Sequence, residues 1–92
     1  MRTRMESNRI WVTDDNGELL AEITYPDTNE PNVVNINHTF VSPALRGQGM
    51  ADKLMTAVVE QIRKTKRRCR ASCSYAAAWM QRHPEWADIW EP

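Results

Sequence analysis

Long apolar runs and a cysteine framework are both missing from this sequence, and each absence excludes a class of protein. No apolar run approaches the roughly 18 residues needed to span a membrane, and residues 1–6 have no apolar segment of the signal-peptide kind. The two cysteines, Cys69 and Cys73, would lie about 13 Å apart on a strand, which is too far for a disulfide. We therefore expect a cytoplasmic protein with no membrane contact and with both thiols reduced.

A metal-binding pattern is also missing. The spacing Cys69-x-x-x-Cys73, combined with two distant histidines, matches no strong zinc motif. We therefore expect no metal site.

A net basic charge is absent too, because 12 Lys and Arg balance 12 Asp and Glu. Nucleic-acid binding domains are strongly basic, so this balance disfavours a nucleic-acid partner. The charge is nevertheless uneven. Residues 1–45 carry three Arg and seven Asp or Glu, whereas residues 46–92 carry nine Lys or Arg and five Asp or Glu. The second half is thus the better place for an anionic ligand. A length of 92 residues predicts a single domain over 1–92 with one modest core.

Apolar periodicity predicts strands in the first half and helices in the second. Asn16-Gly17 predicts a tight hairpin turn in which both residues adopt positive φ. The predicted elements are strands at 10–12, 18–25 and 33–41, a helix from Gln48 to about Lys66, a strand at 69–73, a helix capped by Ser74, and a last turn after Pro84. This β-β-β-α-β-α order makes strands 33–41 and 69–73 a parallel pair joined by a crossover.

The loop before the first helix is the clearest candidate for a binding site. The first N–H groups of a helix have no internal partner, and the helix dipole is positive there. Glycine lets the backbone close on a bulky anion, so the segment suits a pyrophosphate. The alternative is a plain loop whose glycines serve only a tight turn. The residues concerned are Arg46, Gly47, Gln48, Gly49, Met50 and Ala51.

The run from His38 to Ala51 resembles the coenzyme-binding motif of the GNAT N-acetyltransferases. Arg46, Gly49 and Ala51 match its Arg/Gln-x-x-Gly-x-Gly/Ala pattern in register, and Cys73-Ser74-Tyr75 with His83-Pro84-Glu85-Trp86 resembles the short, minimal branch of that superfamily. The resemblance covers roughly residues 8 to 90. It implies a mixed αβ (α+β) fold, with a mostly antiparallel sheet and a parallel pair of strands flanking the coenzyme-binding helix.

The resemblance also implies acetyl-CoA as co-substrate and an unidentified amine as acceptor. Residues 46–51 would hold the pyrophosphate, the pantetheine arm would run between strands 33–41 and 69–73, and an N–H near Phe40 or Val41 would polarise the thioester. Tyr75 is only a candidate for the tyrosine that protonates the leaving thiolate. Full-length relatives cover the acceptor with helices between their first two strands, whereas only residues 14–17 separate the predicted strands here.

Two further residues carry alternative interpretations. Cys73 is either an acyl-accepting nucleophile at a strand end or a small buried residue, the usual fate of a free cysteine. His38 shares the phase of Val34, Ile36 and Phe40, so it is either a hydrogen-bonded core histidine or a general base near the thioester.

Two functions from different classes fit these observations. The first is an acetyl-CoA-dependent N-acetyltransferase, and the second is a non-catalytic module that binds acyl-CoA or a protein partner. The basic cluster at 63–70 is a solvated helix end or a surface for an acidic partner. We expect a monomer or a weak homodimer.

Overall fold

Six strands form two sheets, and the computed structural model describes residues 1–92. The strands are β1 (Arg2–Glu6), β2 (Arg9–Thr13), β3 (Leu19–Thr24), β4 (Val33–Ile36), β5 (His38–Val41) and β6 (Arg68–Ala71). The helices are α1 (Met50–Lys64) and α2 (Ser74–Arg82), with 3-10 turns at Pro43–Leu45 and Pro84–Ile89. This mixed α+β architecture confirms the predicted fold class. No helix combines the length and the apolar composition needed to cross a membrane.

The prediction of one continuous strand over 33–41 is wrong, because the chain breaks at Asn37 and the two parts join different sheets. β4 pairs in parallel with β6, while β5 joins the antiparallel order β1-β2-β3-β5. Asn37 donates its N–H to Thr24 O at 3.2 Å and accepts from Thr24 Oγ1 at 2.6 Å. The expected parallel crossover is confirmed, since Val33–Ile36 lie in register with Arg68–Ala71.

This break reverses which side chains face inward. Val34 and Ile36 are fully buried against α1's side of the molecule, but His38 is exposed. After the break, Val41 packs on the core whereas Phe40 does not. The interpretation of His38 as a core histidine is therefore wrong, because the alternation that begins at Val34 does not continue through Asn37.

The N-terminal strand β1 was not predicted, because all five of its residues are exposed and they show no apolar alternation. The hairpin between β2 and β3 lies where it was predicted, but its turn geometry differs from the prediction. Of the two turn residues Asn16 and Gly17, only Gly17 has positive φ, at 81°. The Asp14 carboxylate accepts the N–H groups of Asn16 and Glu18, both at 2.9 Å, so an Asx turn shapes the loop instead of a two-residue turn.

Helix α1 supplies most of the apolar layer beneath the sheets. Its helical spacing predicts a buried stripe of Ala51, Leu54, Met55, Val58 and Ile62. Four of these are buried, Ala51 is half-buried, and Val59 is buried as well. Helix α2 buries Ala76, Trp79 and Met80. Its N-cap is Cys73 and not Ser74 as predicted, since Ser74 is already the first helical residue. Cys73 therefore stands at the junction of a strand end and a helix start.

Candidate functional site

The glycine-rich segment forms a left-handed turn into α1. Gly47 and Gly49 have φ of 83° and 74°, a conformation that costs glycine little and other residues more. Gly49 is the N-cap of α1, and no side chain caps this helix end. Arg46 leans back over the preceding strand, with its Nε 3.4 Å from Val41 O. The turn thus presents its backbone, and not side chains, at the start of the helix.

Several backbone N–H groups at this turn have no protein partner. Gly47 and Gly49 donate to no backbone carbonyl, and the first N–H to bond into α1 from its cap belongs to Lys53, which donates to Gly49 O at 3.0 Å. The N–H groups of residues 50–52, in the first helical turn, have no acceptor within the helix. These donors lie at the positive end of the helix dipole. The arrangement can bind an anion of the size of a phosphate.

A cleft of about 230 Å³ opens directly on this turn. Two residues predicted to bind the coenzyme do not line it. Gln48 turns its amide back to Ala44 O at 3.3 Å, and Phe40 pairs across the sheet with Glu22 on the outer face. The cleft gathers the other predicted residues, together with Leu45 and Asp52. Those predicted residues are Val41, Arg46, Gly47, Gly49, Met50, Ala51 and Tyr75.

Cys73 lies where β4 and β6 stop pairing. Its N–H donates to Ile36 O at 3.2 Å, and its Sγ lies 3.4 Å from Thr39 Oγ1. Desolvation acts to raise the pKa of this thiol, but the hydrogen bond with the Thr39 hydroxyl and the nearby backbone N–H groups of Ala76, Tyr75 and Thr39 together lower it more, so the pKa lies below its usual value. A half-buried thiol beside a hydroxyl and a helix start is in an environment that favours the thiolate.

His38 does not meet Cys73 in this structure. Its Nε2 lies 3.3 Å from Glu22 Oε1, and half of its side chain is exposed. Adjacent residues of a strand point to opposite faces, so Thr39 turns toward Cys73 while His38 turns toward the outer face of the sheet. The two predicted catalytic residues therefore lie on different faces of the sheet.

Tyr75 and Asp52 form the far wall of the cleft. Burial, with a contribution from the Asp52 carboxylate, raises the pKa of Tyr75, so its hydroxyl stays protonated. Asp52 Oδ1 accepts the indole N–H of Trp79 at 2.8 Å. His83 stacks on the Trp79 ring with centroids 3.8 Å apart. Asp52 thus ties the first turn of α1 to α2.

Sequence reasoning missed Asp52 and Thr39. Asp52 follows the coenzyme motif directly, but nothing in the sequence indicates that a tryptophan 27 residues later donates to it. The apolar alternation of an unbroken strand 33–41 predicts that Thr39 faces outward with the polar residues, whereas in the structure it faces Cys73. The Asn-x-Asn-His-Thr run at 35–39, polar residues inside an apolar strand, was a signal that a break was possible.

The basic cluster at 63–70 lies at the other end of α1, and its four arginines make contacts within the protein. Arg63 pairs with Asp88 and covers the Trp86 ring, its Cζ 4.1 Å from the centroid. Arg67 donates to Ser7 O at 3.2 Å. Arg68 and Arg70 both pair with Glu91, at 3.0 and 3.5 Å. These contacts give the cluster a structural role.

A second cavity, of about 510 Å³, shares no residue with the cleft. Its polar groups satisfy one another: Arg70 pairs with Glu30 and Glu91, and Asn35 donates to Ser72 Oγ at 2.9 Å. The smaller cleft is the better candidate site because it combines unpartnered donors with the helix dipole.

The fold thus combines a strand that ends near a glycine turn, a helix whose first N–H groups open on a cleft, and a parallel pair of strands beside it. The family of GCN5-related N-acetyl-transferases matches residues 9–89. The chain belongs to this family.

Solved structures agree with this assignment. A GCN5-like candidate N-acetyltransferase from Staphylococcus aureus, determined by NMR, is 37% identical with a TM-score of 0.80, over 98% of this chain and 87% of that one. No curated protein matches the chain.

Two more distant structures share the fold alone. A ribosomal-protein-alanine N-acetyltransferase from Brucella melitensis biovar Abortus 2308 is 15% identical with a TM-score of 0.58, over 80% of this chain and 59% of that one. A GCN5-related N-acetyltransferase from Sphaerobacter thermophilus is 17% identical with a TM-score of 0.60, over 87% of this chain and 29% of that one. This chain therefore spans 59% and 29% of their lengths.

Proposed function

We propose that this protein binds acetyl-CoA in the 230 Å³ cleft and transfers the acetyl group, by way of Cys73, to an amine in the cytoplasm. The observation that carries the binding step is the set of unpartnered N–H groups at Gly47, Gly49 and the first turn of α1. Gly47, Gly49 and Asp52 are exposed and Met50 and Ala51 are half-buried, so these N–H groups are open to a ligand, and a pyrophosphate would accept their hydrogen bonds. Family membership makes acetyl-CoA the expected source of that pyrophosphate.

The thioester would lie at the opening between β5 and β6. Ser42 donates its N–H to Leu20 O on β3 at 2.7 Å, so the N–H of Val41, one residue earlier, points to the opposite edge of the strand. That edge faces the opening. The Val41 N–H is therefore the group that we propose to polarise the thioester carbonyl, as the donor of an oxyanion hole.

Cys73 supplies the nucleophile in the first step. Its thiol loses a proton to solvent, and the thiolate attacks the thioester carbonyl carbon. A new carbon–sulfur bond forms to Cys73, and the bond to the coenzyme sulfur breaks. Tyr75, whose phenol stays protonated because its pKa is raised by burial and by Asp52, gives its proton to the departing coenzyme thiolate and regains one from solvent.

An amine completes the reaction in the second step. Its nitrogen attacks the acetyl carbon, the carbon–nitrogen bond forms, the Cys73 thiolate leaves, and the nitrogen releases a proton. A direct transfer without the acyl-cysteine would use a water or His38 as the base, and His38 would first have to leave Glu22 and the outer face of the sheet, where its half-exposed ring lies. The two routes differ in whether Cys73 carries the acetyl group.

Calorimetry with coenzyme A tests the binding step. Gly49→Glu places a carboxylate among the donors and should abolish binding, whereas Gly49→Gln is the matched control for side-chain size and for the strain of positive φ. We expect binding in the order wild type, then Gly49→Gln, with none in Gly49→Glu. Equal affinity in Gly49→Glu and Gly49→Gln would contradict the site.

Intact mass spectrometry after incubation with acetyl-CoA tests the transfer step. An acetyl group adds about 42 Da to a nucleophilic cysteine, and hydroxylamine should remove it. The adduct should map to Cys73, be absent in Cys73→Ser, and be absent from Cys69. Amine acetylation that persists in Cys73→Ala would favour direct transfer with His38 or a water as the base. Binding without adduct or transfer to any amine would favour the non-catalytic acyl-CoA-binding module.

A further inference from the structure

Thr39 is the only side chain that hydrogen-bonds the thiol of Cys73. The two residues are 34 positions apart in sequence, and their Oγ1 and Sγ atoms lie 3.4 Å apart. Backbone N–H groups of Thr39, Tyr75 and Ala76 also lie near the thiol and lower its pKa, but the Cys73 side chain makes no capping hydrogen bond with α2. The backbone of β5 and α2 supplies those N–H groups whatever the side chains are, whereas the hydroxyl is present only because residue 39 is a threonine.

A threonine at this position is not explained by packing. Thr39 lies on the inward face of β5 beside the core, where valine, which has the same shape, would pack equally well and would need no partner. A half-buried hydroxyl gains from a partner, and its partner here is Cys73. The β-branched side chain also has few χ1 rotamers, so its hydroxyl is held in one direction.

The hydroxyl distinguishes the two protonation states of the thiol. A neutral thiol can donate to Oγ1 or accept from it, but a thiolate can only accept. Thr39 can always supply a proton to that bond, because its hydroxyl rotates to suit. Hydrogen bonding to the charged form of a group favours that form, and the pKa of Cys73 is indeed below its usual value, with the Thr39 hydroxyl the largest of the causes that lower it.

We propose that Thr39 is a positioning residue, whose hydroxyl stabilises the Cys73 thiolate and aims its sulfur into the opening between β5 and β6. This role rests on the proposed function of Cys73 as acyl acceptor. Thr39 itself makes and breaks no covalent bond. Its contribution is to increase the fraction of reactive sulfur at neutral pH and to fix the direction from which that sulfur approaches.

The pH dependence of Cys73 alkylation by iodoacetamide tests this role without acetyl-CoA. The midpoint of the rate profile reports the thiolate pKa. We expect Thr39→Val to move the midpoint up by about one pH unit, which is roughly a tenfold loss of reactive thiolate at neutral pH. Thr39→Ser, which keeps the hydroxyl, should return the midpoint close to that of wild type. If Thr39 had only a structural role, the midpoint would not be higher in Thr39→Val than in Thr39→Ser.

Matched measurements separate the possible outcomes. Thr39→Ala removes the same hydroxyl and replaces the valine variant if that one does not fold, and coenzyme binding by calorimetry shows that the cleft is intact. An unchanged midpoint in folded Thr39→Val or Thr39→Ala would overturn the proposal. Acetylation of Cys73 at the wild-type rate in either variant would also overturn it while leaving the proposed function in place. Absence of any acetyl adduct in wild type, with the alkylation shift present, would remove the acyl-transfer role and retain the effect of Thr39 on the thiolate.

Discussion

The two cysteines of this chain lie four residues apart, yet they occupy opposite chemical environments. Cys69 lies in the middle of β6 and is fully buried, and desolvation, with repulsion from the Glu91 carboxylate, raises its pKa to about 12. Cys73 lies just past the end of the same strand, half-buried, with hydrogen-bond donors that lower its pKa. Cys69 therefore lies in the core with a raised pKa, whereas Cys73, two residues beyond the strand, lies at the opening with a lowered pKa.

This contrast extends to the regions around the two residues. Around Cys69, apolar side chains of both sheets and of α1 pack without buried charged groups. Around the exposed glycine turn, by contrast, the N–H groups of Gly47 and Gly49 donate to no backbone carbonyl and are open to a ligand.

The largest expected effect compares the two thiols directly. At pH 7 a thiol with a pKa of about 12 is ionised in roughly one molecule in 100,000, against about 3% for an ordinary thiol. Iodoacetamide should therefore modify Cys73 at least about a thousandfold faster than Cys69. Tandem mass spectrometry of the folded protein, sampled over time, gives both rates.

The same experiment shows the direction of the pH dependence. Because a lowered pKa means that the thiolate forms at lower pH, the rate for Cys73 should level off at a lower pH than that of free cysteine, while the rate for Cys69 should still be rising at pH 10. Urea-unfolded protein serves as the control, since both cysteines should then react alike. Comparable rates for the two in folded protein would contradict the contrast.

An intermediate effect concerns the link between α1 and the helix that Cys73 caps. Asp52→Ala leaves the indole N–H of the buried Trp79 without its acceptor, and an unsatisfied buried donor costs about 1–3 kcal/mol. Asp52→Asn keeps Oδ1 as acceptor and should lose less. Urea unfolding followed by circular dichroism gives both changes in the free energy of unfolding.

The two Asp52 variants also test whether the contact between α1 and α2 affects the reactivity of Cys73. If α2 is held by this contact, Cys73 alkylation should slow in Asp52→Ala more than in Asp52→Asn. Equal stability of Asp52→Ala and wild type would show that water replaces the carboxylate and that the link is weak.

The smallest expected effect concerns the basic cluster. Lys64 lies about 21 Å along α1 from Met50 at about 1.5 Å per residue, so the cluster cannot reach the proposed pyrophosphate site. Replacing Lys64, Arg67 and Arg68 together by Gln should change the affinity for coenzyme A by no more than a few-fold, through a long-range term that added salt removes. Calorimetry at low and high salt separates the salt-sensitive change in affinity from any change that remains at high salt. A hundredfold loss of affinity would mean that the cleft is not the coenzyme site.

Local sequence patterns predicted the elements whose cause is local. The apolar residues of α1 recur at helical spacing, and both the helix and its buried stripe are present as predicted. The alternation of β3 also holds, with Ala21, Ile23 and Tyr25 buried. The glycine turn was predictable because positive φ at Gly47 and Gly49 is a property of glycine itself.

The exposed edge strand β1 was beyond these patterns. None of its residues is buried, so its pairing with β2 leaves no apolar signal. Local patterns also could not predict the division of 33–41 at Asn37. A strand joins one sheet or the other according to partners that lie far away in sequence. A break of one residue reverses every later side chain, and this reversal moved His38 outward and Thr39 inward.

Local spacing alone predicted strands in the first half, two helices in the second half and a glycine turn at residues 46–51 before the first helix, and the run from His38 to Ala51 resembles the GNAT coenzyme-binding motif. The tertiary structure decided the surroundings of each reactive group: Thr39 and two N–H groups of α2 beside Cys73, Glu91 near Cys69, and Glu22 beside His38. The physical reason is that hydrogen-bonding and charge effects act over a few ångströms in space, whereas these partners are separated by tens of residues along the chain.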